Sequence, residues 1–176
     1  MSYYLTTDTH FGHERMLELC NRPRGYEELI LSNLSKLSES DILIHLGDFC
    51  WGKDAYWTEI FMSRVKCIKW LIRGNHDSKP DGWYFRKGWS WVNHERRILW
   101  GDKRILFTHR PAEDHWCDLN IHGHLHNNDH RKNEMPLNGY NLLLAIENNN
   151  YEVWSLDKLI KDYFGPSHLE GVIIRS

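Results

Sequence analysis

Six of the twelve histidines in this 176-residue chain fall in short clusters with acidic or amide side chains. The clusters are Asp8-Thr9-His10, Gly47-Asp48, Gly74-Asn75-His76-Asp77, His109 and His122-Gly123-His124-Leu125-His126. Imidazole and oxygen donors without a thiolate suit Mn²⁺, Fe, Ni²⁺ or Zn²⁺ better than Ca²⁺ or Mg²⁺. A carboxylate can bridge two cations and an imidazole cannot readily do so. Asp48, alone after a glycine that lets the chain pass close by, is therefore the natural bridge. Asp8 and His10 stand two residues apart and could grip a single ion, and His124 and His126 repeat that spacing. On extended backbone such a pair points the same way, whereas on a turn it can diverge to separate ions. Asn75 offers a neutral carbonyl oxygen that holds a metal without adding charge. Two cations caged in this way supply Lewis acidity for hydrolysis.

The elements that must position these groups are legible in the apolar runs. Tyr3–Thr7 reads as a strand ending at Asp8, residues 41–46 as a strand ending at Gly47-Asp48, and residues 67–72 as a strand ending at Gly74-Asn75. Arg104–Thr108 ends at His109, Leu119–Ile121 ends at His122, and residues 141–146 form a sixth run. Helical patterns cover Glu14–Cys20, Tyr26–Leu37 and Asp54–Arg64, so the first half alternates strand and helix and predicts parallel pairing. Ile98–Trp100 and Arg104–Thr108 flank Gly101-Asp102, a hairpin signal. Leu156–Phe164 predicts a C-terminal helix that starts near Ser155 or Asp157. The fold class expected is α/β: two mixed β-sheets sandwiched with flanking helices, an α/β/β/α arrangement. Every ligand-type cluster stands at a strand's carboxyl end, where open α/β sheets bind ligands.

Bulk properties narrow the setting. The length predicts one compact domain over residues 1–176. No apolar run approaches a membrane span, and Met1-Ser2-Tyr3-Tyr4-Leu5 lacks the pattern of a secretory signal. Four widely spaced cysteines with no CxxC pair predict reduced thiols in the cytoplasm. A formal net charge of −2 gives no strong field to draw in polyanions, although a local basic patch could still do so; nucleic acid stays open as a partner but is not indicated by the net charge.

The order D-x-H, G-D, G-N-H-D, H, G-H-x-H resembles the motif series of the calcineurin-like metallophosphoesterase superfamily. It runs from Asp8 to His126, about two-thirds of the chain. That resemblance implies two divalent metal ions, with Asp8, His10 and His126 on the first, Asn75, His109 and His124 on the second, and Asp48 bridging both. It further implies attack on phosphorus by a bridging hydroxide, with His76 as the catalytic histidine that protonates the departing oxygen. Manganese is the favoured metal, with Fe, Ni²⁺ or Zn²⁺ as alternatives. The chain departs from the phosphoprotein-phosphatase branch, because Trp51 occupies the place of the Asp that orients the catalytic histidine there. It also carries His109-Arg110-Pro111 where His-Gly is usual, which makes Arg110 a candidate clamp for a substrate phosphate.

The substrate expected is a small phosphate ester, with a phosphodiester of a cyclic or linear nucleotide preferred. The alternatives are a phosphomonoester or dinucleotide pyrophosphate substrate and, outside enzymes, a catalytically inactive metal-binding scaffold. Plainer roles compete for several residues. His45 reads as packed core, and His94, His115, His130 and His168 read as surface. His13 and His122 are candidates to line the site. Trp51 could stack on a base, while Trp57, Trp70, Trp89, Trp91, Trp100 and Trp154 read as packing. Arg22, Arg24, Lys53 and Arg73 read as solvated surface charges, and Asn127–Asn138 as a long surface loop.

Overall fold

The computed structural model describes residues 1–113, 116–127 and 139–165. His115, His130, His168 and almost all of the expected polar loop lie outside these residues. Strands β1 (Tyr3–Thr6), β2 (Ile42–His45) and β3 (Ile68–Ile72) alternate with helices α1 (Met16–Leu19), α2 (Tyr26–Leu34) and α3 (Asp54–Arg64). Then follow α4 (Asp81–Arg86), β4 (Trp91–Asn93), β5 (Glu95–Trp100), β6 (Lys103–Thr108), β7 (Leu119–His122), β8 (Asn141–Leu143), a 3₁₀ turn (Ile146–Asn149), β9 (Trp154–Ser155) and α5 (Leu156–Phe164).

The strands form two mixed sheets, ordered β4-β3-β2-β1-β9 and β5-β6-β7-β8. In the first sheet, β1 through β4 pair in parallel, and β9 closes the edge antiparallel to β1. In the second, β5 and β6 form the antiparallel hairpin around Gly101-Asp102, and β6, β7 and β8 pair in parallel.

Strand alternation sorts the side chains into two cores. Ile42 and Ile44 face the second sheet and pack with Leu5, Ile72, Ile105, Phe107 and Ile121. Leu43 and Leu71 point the other way, toward Tyr26, Ile30, Leu34 and Phe61 of α2 and α3. A strand buried on both faces has no polar side to show, which is why β2 reads as an unbroken apolar run. Helix α5 sends Leu156 and Ile160, one turn apart, into the core between the sheets. Its start is capped by Ser155, whose Oγ accepts from the Lys158 N–H at 3.4 Å.

The structure corrects several boundaries. The sixth apolar run pairs only over Asn141–Leu143, and Ile146 instead anchors the 3₁₀ turn. Helix α1 is a single turn, and α2 ends at Leu34. Helix α4 and strands β4 and β9 have no counterpart in the periodicity, being two to six residues long.

Candidate metal centre

Five strand ends converge on one rim. The segments after β1 and β2 leave their strands side by side and stay joined through the backbone. Asp8 N donates to Gly47 O (2.9 Å), His10 N to Asp48 O (3.0 Å) and Phe11 N to Phe49 O (3.1 Å). Beneath them, Phe11, Phe49, Phe61 and Trp89 interlock with ring centroids 5.0–6.4 Å apart. The two loops that carry Asp8, His10 and Asp48 therefore rest on a rigid aromatic base rather than on solvent.

The backbone at the rim is strained. Asp8, His10, Asp48, His124 and His126 all adopt positive φ, between 46° and 70°. Each costs on the order of 1–3 kcal/mol for a residue with a Cβ, and such strain concentrates where a site demands it. Two glycines make the close approach possible. A Cβ on Gly74 would lie 2.2 Å from Asp48 Oδ1, and one on Gly123 would lie 1.9 Å from Thr7 Oγ1.

The donors gather in two groups. Asp8, His10 and His126, all buried, bring one ligand atom each within 4.8 Å of one another, and Asp48, His109 and His124 do the same. Asn75 joins the second group, with its Oδ1 3.2 Å from His109 Nε2. Between the groups lies Asp48 Oδ2, which is 3.3 Å from His109 Nε2 and 3.7 Å from both His10 Nε2 and His76 Nε2.

Hydrogen bonding directs the open lone pairs inward. His109 Nδ1 lies 2.8 Å from the Leu46 carbonyl, which can only accept, so Nδ1 carries the proton and Nε2 faces the cluster. Asp8 Oδ2 accepts from Thr7 Oγ1 (2.5 Å) and from His124 N (2.9 Å). Its partner Oδ1 and His10 Nε2 are buried without a hydrogen bond. A buried carboxylate oxygen and imidazole nitrogen left open, facing one another at 3.9 Å, fit a divalent cation between them.

The electrostatics describe a pocket of crowded charge. Burial drives His10 well below its usual value. Burial also opposes charge on His109 and His126, but the carboxylates beside them win: contact with Asp48 raises His109 to about 9, and Asp8 with Glu147 raises His126 to about 10. Burial likewise works against the Asp48 anion, yet bonding to His109 holds its carboxyl far below the ordinary range. Protons on these imidazoles hold places that a cation would compete for.

His76 borders the cleft and is about one-third exposed. The cleft itself has a volume of about 130 Å³, and its lining includes His10, Asp48, Asn75 and His76 together with the apolar Met16 and Leu19. His13 lines it too, its ring stacked on Trp51 with centroids 4.4 Å apart. Trp51 is 47% exposed and meets His76 edge-on at 4.6 Å. Arg110 is exposed, with one guanidinium nitrogen 3.3 Å from Asn75 Oδ1. His122 is a different case: its side chain is fully buried in β7, its Nδ1 donates to Gly123 O at 2.9 Å, and it does not line the cleft.

Asp77 does not bond to His76. Its carboxylate accepts from the backbone N–H groups of Asp48 (2.8 Å), Phe49 (3.1 Å) and Gly74 (2.8 Å), clamping the ends of β2 and β3 together. His45 is core, as expected: Gly47 N donates to its Nδ1 (3.1 Å), and Nε2 bonds Thr9 Oγ1 (2.9 Å). His94, Arg24 and Lys53 are exposed. Arg22, expected at the surface, is buried. It donates to the carbonyls of Asp8 (2.7 Å) and Thr9 (2.8 Å) and to Glu147 Oε1. Glu147, which no sequence motif marks, lies 3.2 Å from His126 Nδ1.

Three known proteins are similar to this chain. An uncharacterized protein of Methanocaldococcus jannaschii is 27% identical over 170 residues, spanning 90% of this chain and 89% of its own length. The crystal structure of a protein of unknown function from Aquifex aeolicus superposes with a TM-score of 0.72 at 29% identity, covering 91% of this chain and 98% of that one. The nuclease MPE of Pseudomonas putida aligns with a TM-score of 0.48 at 23% identity, over 70% of this chain and 61% of that chain. A family model described as calcineurin-like phosphoesterase matches residues 1–171, and the chain belongs to that family.

Proposed function

We propose that this chain is a metal-dependent phosphoric ester hydrolase that prefers phosphodiesters, probed best with nucleotides, cyclic or linear. In this reading the whole chain forms one metallophosphoesterase domain. Asp8, His10 and His126 hold one divalent ion, Asn75, His109 and His124 hold a second, and Asp48 spans the two. The single observation that supports it most is the position of Asp48 Oδ2, within 3.3–3.7 Å of an imidazole from each group and of His76 as well. Manganese is the metal we favour, since the donor set mixes imidazole, carboxylate and amide oxygen.

A bound pair of divalent ions supplies acidified water and charge neutralisation at the phosphate. The chain's own residues do the rest. His76, half-open to the cleft beside Asp48, delivers a proton to the leaving oxygen. Trp51 and His10 flank its ring, at 4.6 and 5.4 Å between centroids, and limit its rotation. Arg110 presents a planar fork to a phosphate oxygen at the second group's edge. Trp51 and His13 offer an aromatic stack at the mouth that suits a base or sugar. Met16 and Leu19 add apolar surface to the cleft lining. The four cysteines are buried free thiols, in keeping with the cytoplasmic location we favour; among the described residues no helix is long and apolar enough to cross a membrane.

Hydrolysis of bis-p-nitrophenyl phosphate against p-nitrophenyl phosphate, with Mn²⁺ added, tests the diester preference. Faster turnover of the diester is expected. The reverse order would favour a monoesterase, and a fully metallated protein inert to a broad panel of phosphate esters and dinucleotides would favour a binding scaffold.

A further inference from the structure

The side chains behind the first donor group form a closed ion-pair relay. His126 Nδ1 lies 3.2 Å from Glu147 Oε1, while its Nε2 lies 3.8 Å from Asp8 Oδ1. A carboxylate can only accept, so Glu147 keeps a proton on Nδ1 and turns Nε2, the nitrogen left for a metal, toward Asp8. Glu147 Oε1 in turn accepts from Arg22 Nε (2.9 Å) and from a terminal guanidinium nitrogen (2.6 Å). Arg22 also donates to the carbonyls of Asp8 and Thr9, the backbone on which Asp8 and His10 are carried. The Arg22 and Glu147 side chains are 0% and 3% exposed. A buried ion pair of this kind is costly to desolvate, so its presence is weak evidence of a stabilising role.

Cys20, His126 and Glu147 also bring donor atoms within 4.8 Å of one another. That trio is a poor cation site. The Arg22 charge already sits on the Glu147 carboxylate, and the His126 nitrogen that faces Glu147 is the protonated one.

We propose that Glu147 is a positioning residue for the first metal group: held by Arg22, it fixes the tautomer and ring orientation of His126 so that Nε2 is the ligating atom. The relay ties the loop after β1, the loop after β7 and the 3₁₀ turn into one bracket behind Asp8, His10 and His126. This rests on the two-ion reading above, and it assigns to two residues outside every motif a part in making one of the two sites and not the other.

The test is Mn²⁺ titration of the full chain, stripped with chelator, followed by calorimetry for wild type and Glu147→Gln. The amide keeps the shape and can still accept from Nδ1, but it loses the charge that holds Arg22. Outer partners of metal-bound histidines contribute roughly 10–100-fold in affinity. One of two binding events should weaken by about that factor, with the other changed by less than about threefold. A second readout needs no variant. In the Zn²⁺-loaded wild type, ring nitrogen resonances of ¹⁵N-histidine should show His126 protonated at Nδ1 and metal-bound at Nε2. Metal on Nδ1 would overturn the proposal, as would a Glu147→Gln chain that binds both ions normally or loses both alike. A wild-type chain that binds no divalent ion would overturn the two-ion reading itself and this inference with it.

Discussion

Asp77 Oδ2 accepts the backbone N–H of Asp48 at 2.8 Å, and the same carboxylate also takes the N–H groups of Phe49 and Gly74. One buried side chain thus sets the spacing between the strand end that presents Asp48 and the one that presents Asn75. Burial raises Asp77 to about 6 despite these donors. In Asp77→Asn the amide nitrogen must face one of the three N–H groups, leaving a buried donor against a donor. A loss of about 1–3 kcal/mol is expected, read as a lower urea midpoint at pH 7.5, with weaker Mn²⁺ binding alongside it. An unchanged midpoint would mean the clamp is dispensable.

Asp48 and His76 should separate metal binding from proton delivery. Asp48→Asn is expected to lose Mn²⁺ and turnover together. His76→Ala should keep two equivalents of Mn²⁺ by elemental analysis but lose roughly 10²–10⁴-fold in turnover of esters with poor leaving groups. Loss on p-nitrophenyl esters, whose leaving group needs little protonation, should be much smaller. Equal metal loss in both variants would contradict the division of roles.

Close approach at the rim can be tested with two alanines. A Cβ on Gly123 would meet Thr7 Oγ1 at 1.9 Å and Asp8 Oδ2 at 2.3 Å, so Gly123→Ala should cost about 1–3 kcal/mol and weaken metal binding. Gly82, in α4, has only the far end of Arg86 at 3.4 Å, and Gly82→Ala should gain up to about 1 kcal/mol from helix propensity. Thermal melts of the two variants should move in opposite directions.

His45 should leave a mark on acid stability. Burial lowers it to about 3, and it stays neutral in the folded chain, whereas the unfolded chain takes up its proton near the ordinary value of 6.5. Between those values the unfolded state binds more protons, so stability falls as pH falls. One such group contributes a slope approaching about 1.4 kcal/mol per pH unit below about pH 6. Urea unfolding in chelator from pH 7.5 to 4.5 should show a flatter pH dependence for His45→Gln than for wild type. Equal slopes would show that His45 is not kept neutral.

The strand ends were legible in the sequence because each is an apolar run stopped by Gly, Asp, Asn or His. Position relative to the apolar runs told His45 from His10, since His45 lies inside a run and His10 beyond one. Arg22 and Glu147 were not legible. They are 125 residues apart in the chain and meet only through the fold, and an isolated charge reads as solvated unless its partner is known. His122 shows the converse, because its motif neighbours are at the rim while strand alternation turns it into the interior. Asp77 belonged to a motif, yet its backbone partners could not be read from spacing. The short elements α4, β4 and β9 carry too few residues for a period to show, and they form because neighbouring strands and helices hold them.

The most direct test of the cage is anomalous diffraction at the manganese edge from crystals grown with Mn²⁺. Two peaks about 4 Å apart are expected, one beside Asp8, His10 and His126 and the other beside Asn75, His109 and His124, with Asp48 touching both. A single peak, or a pair of peaks away from Asp48, would contradict it.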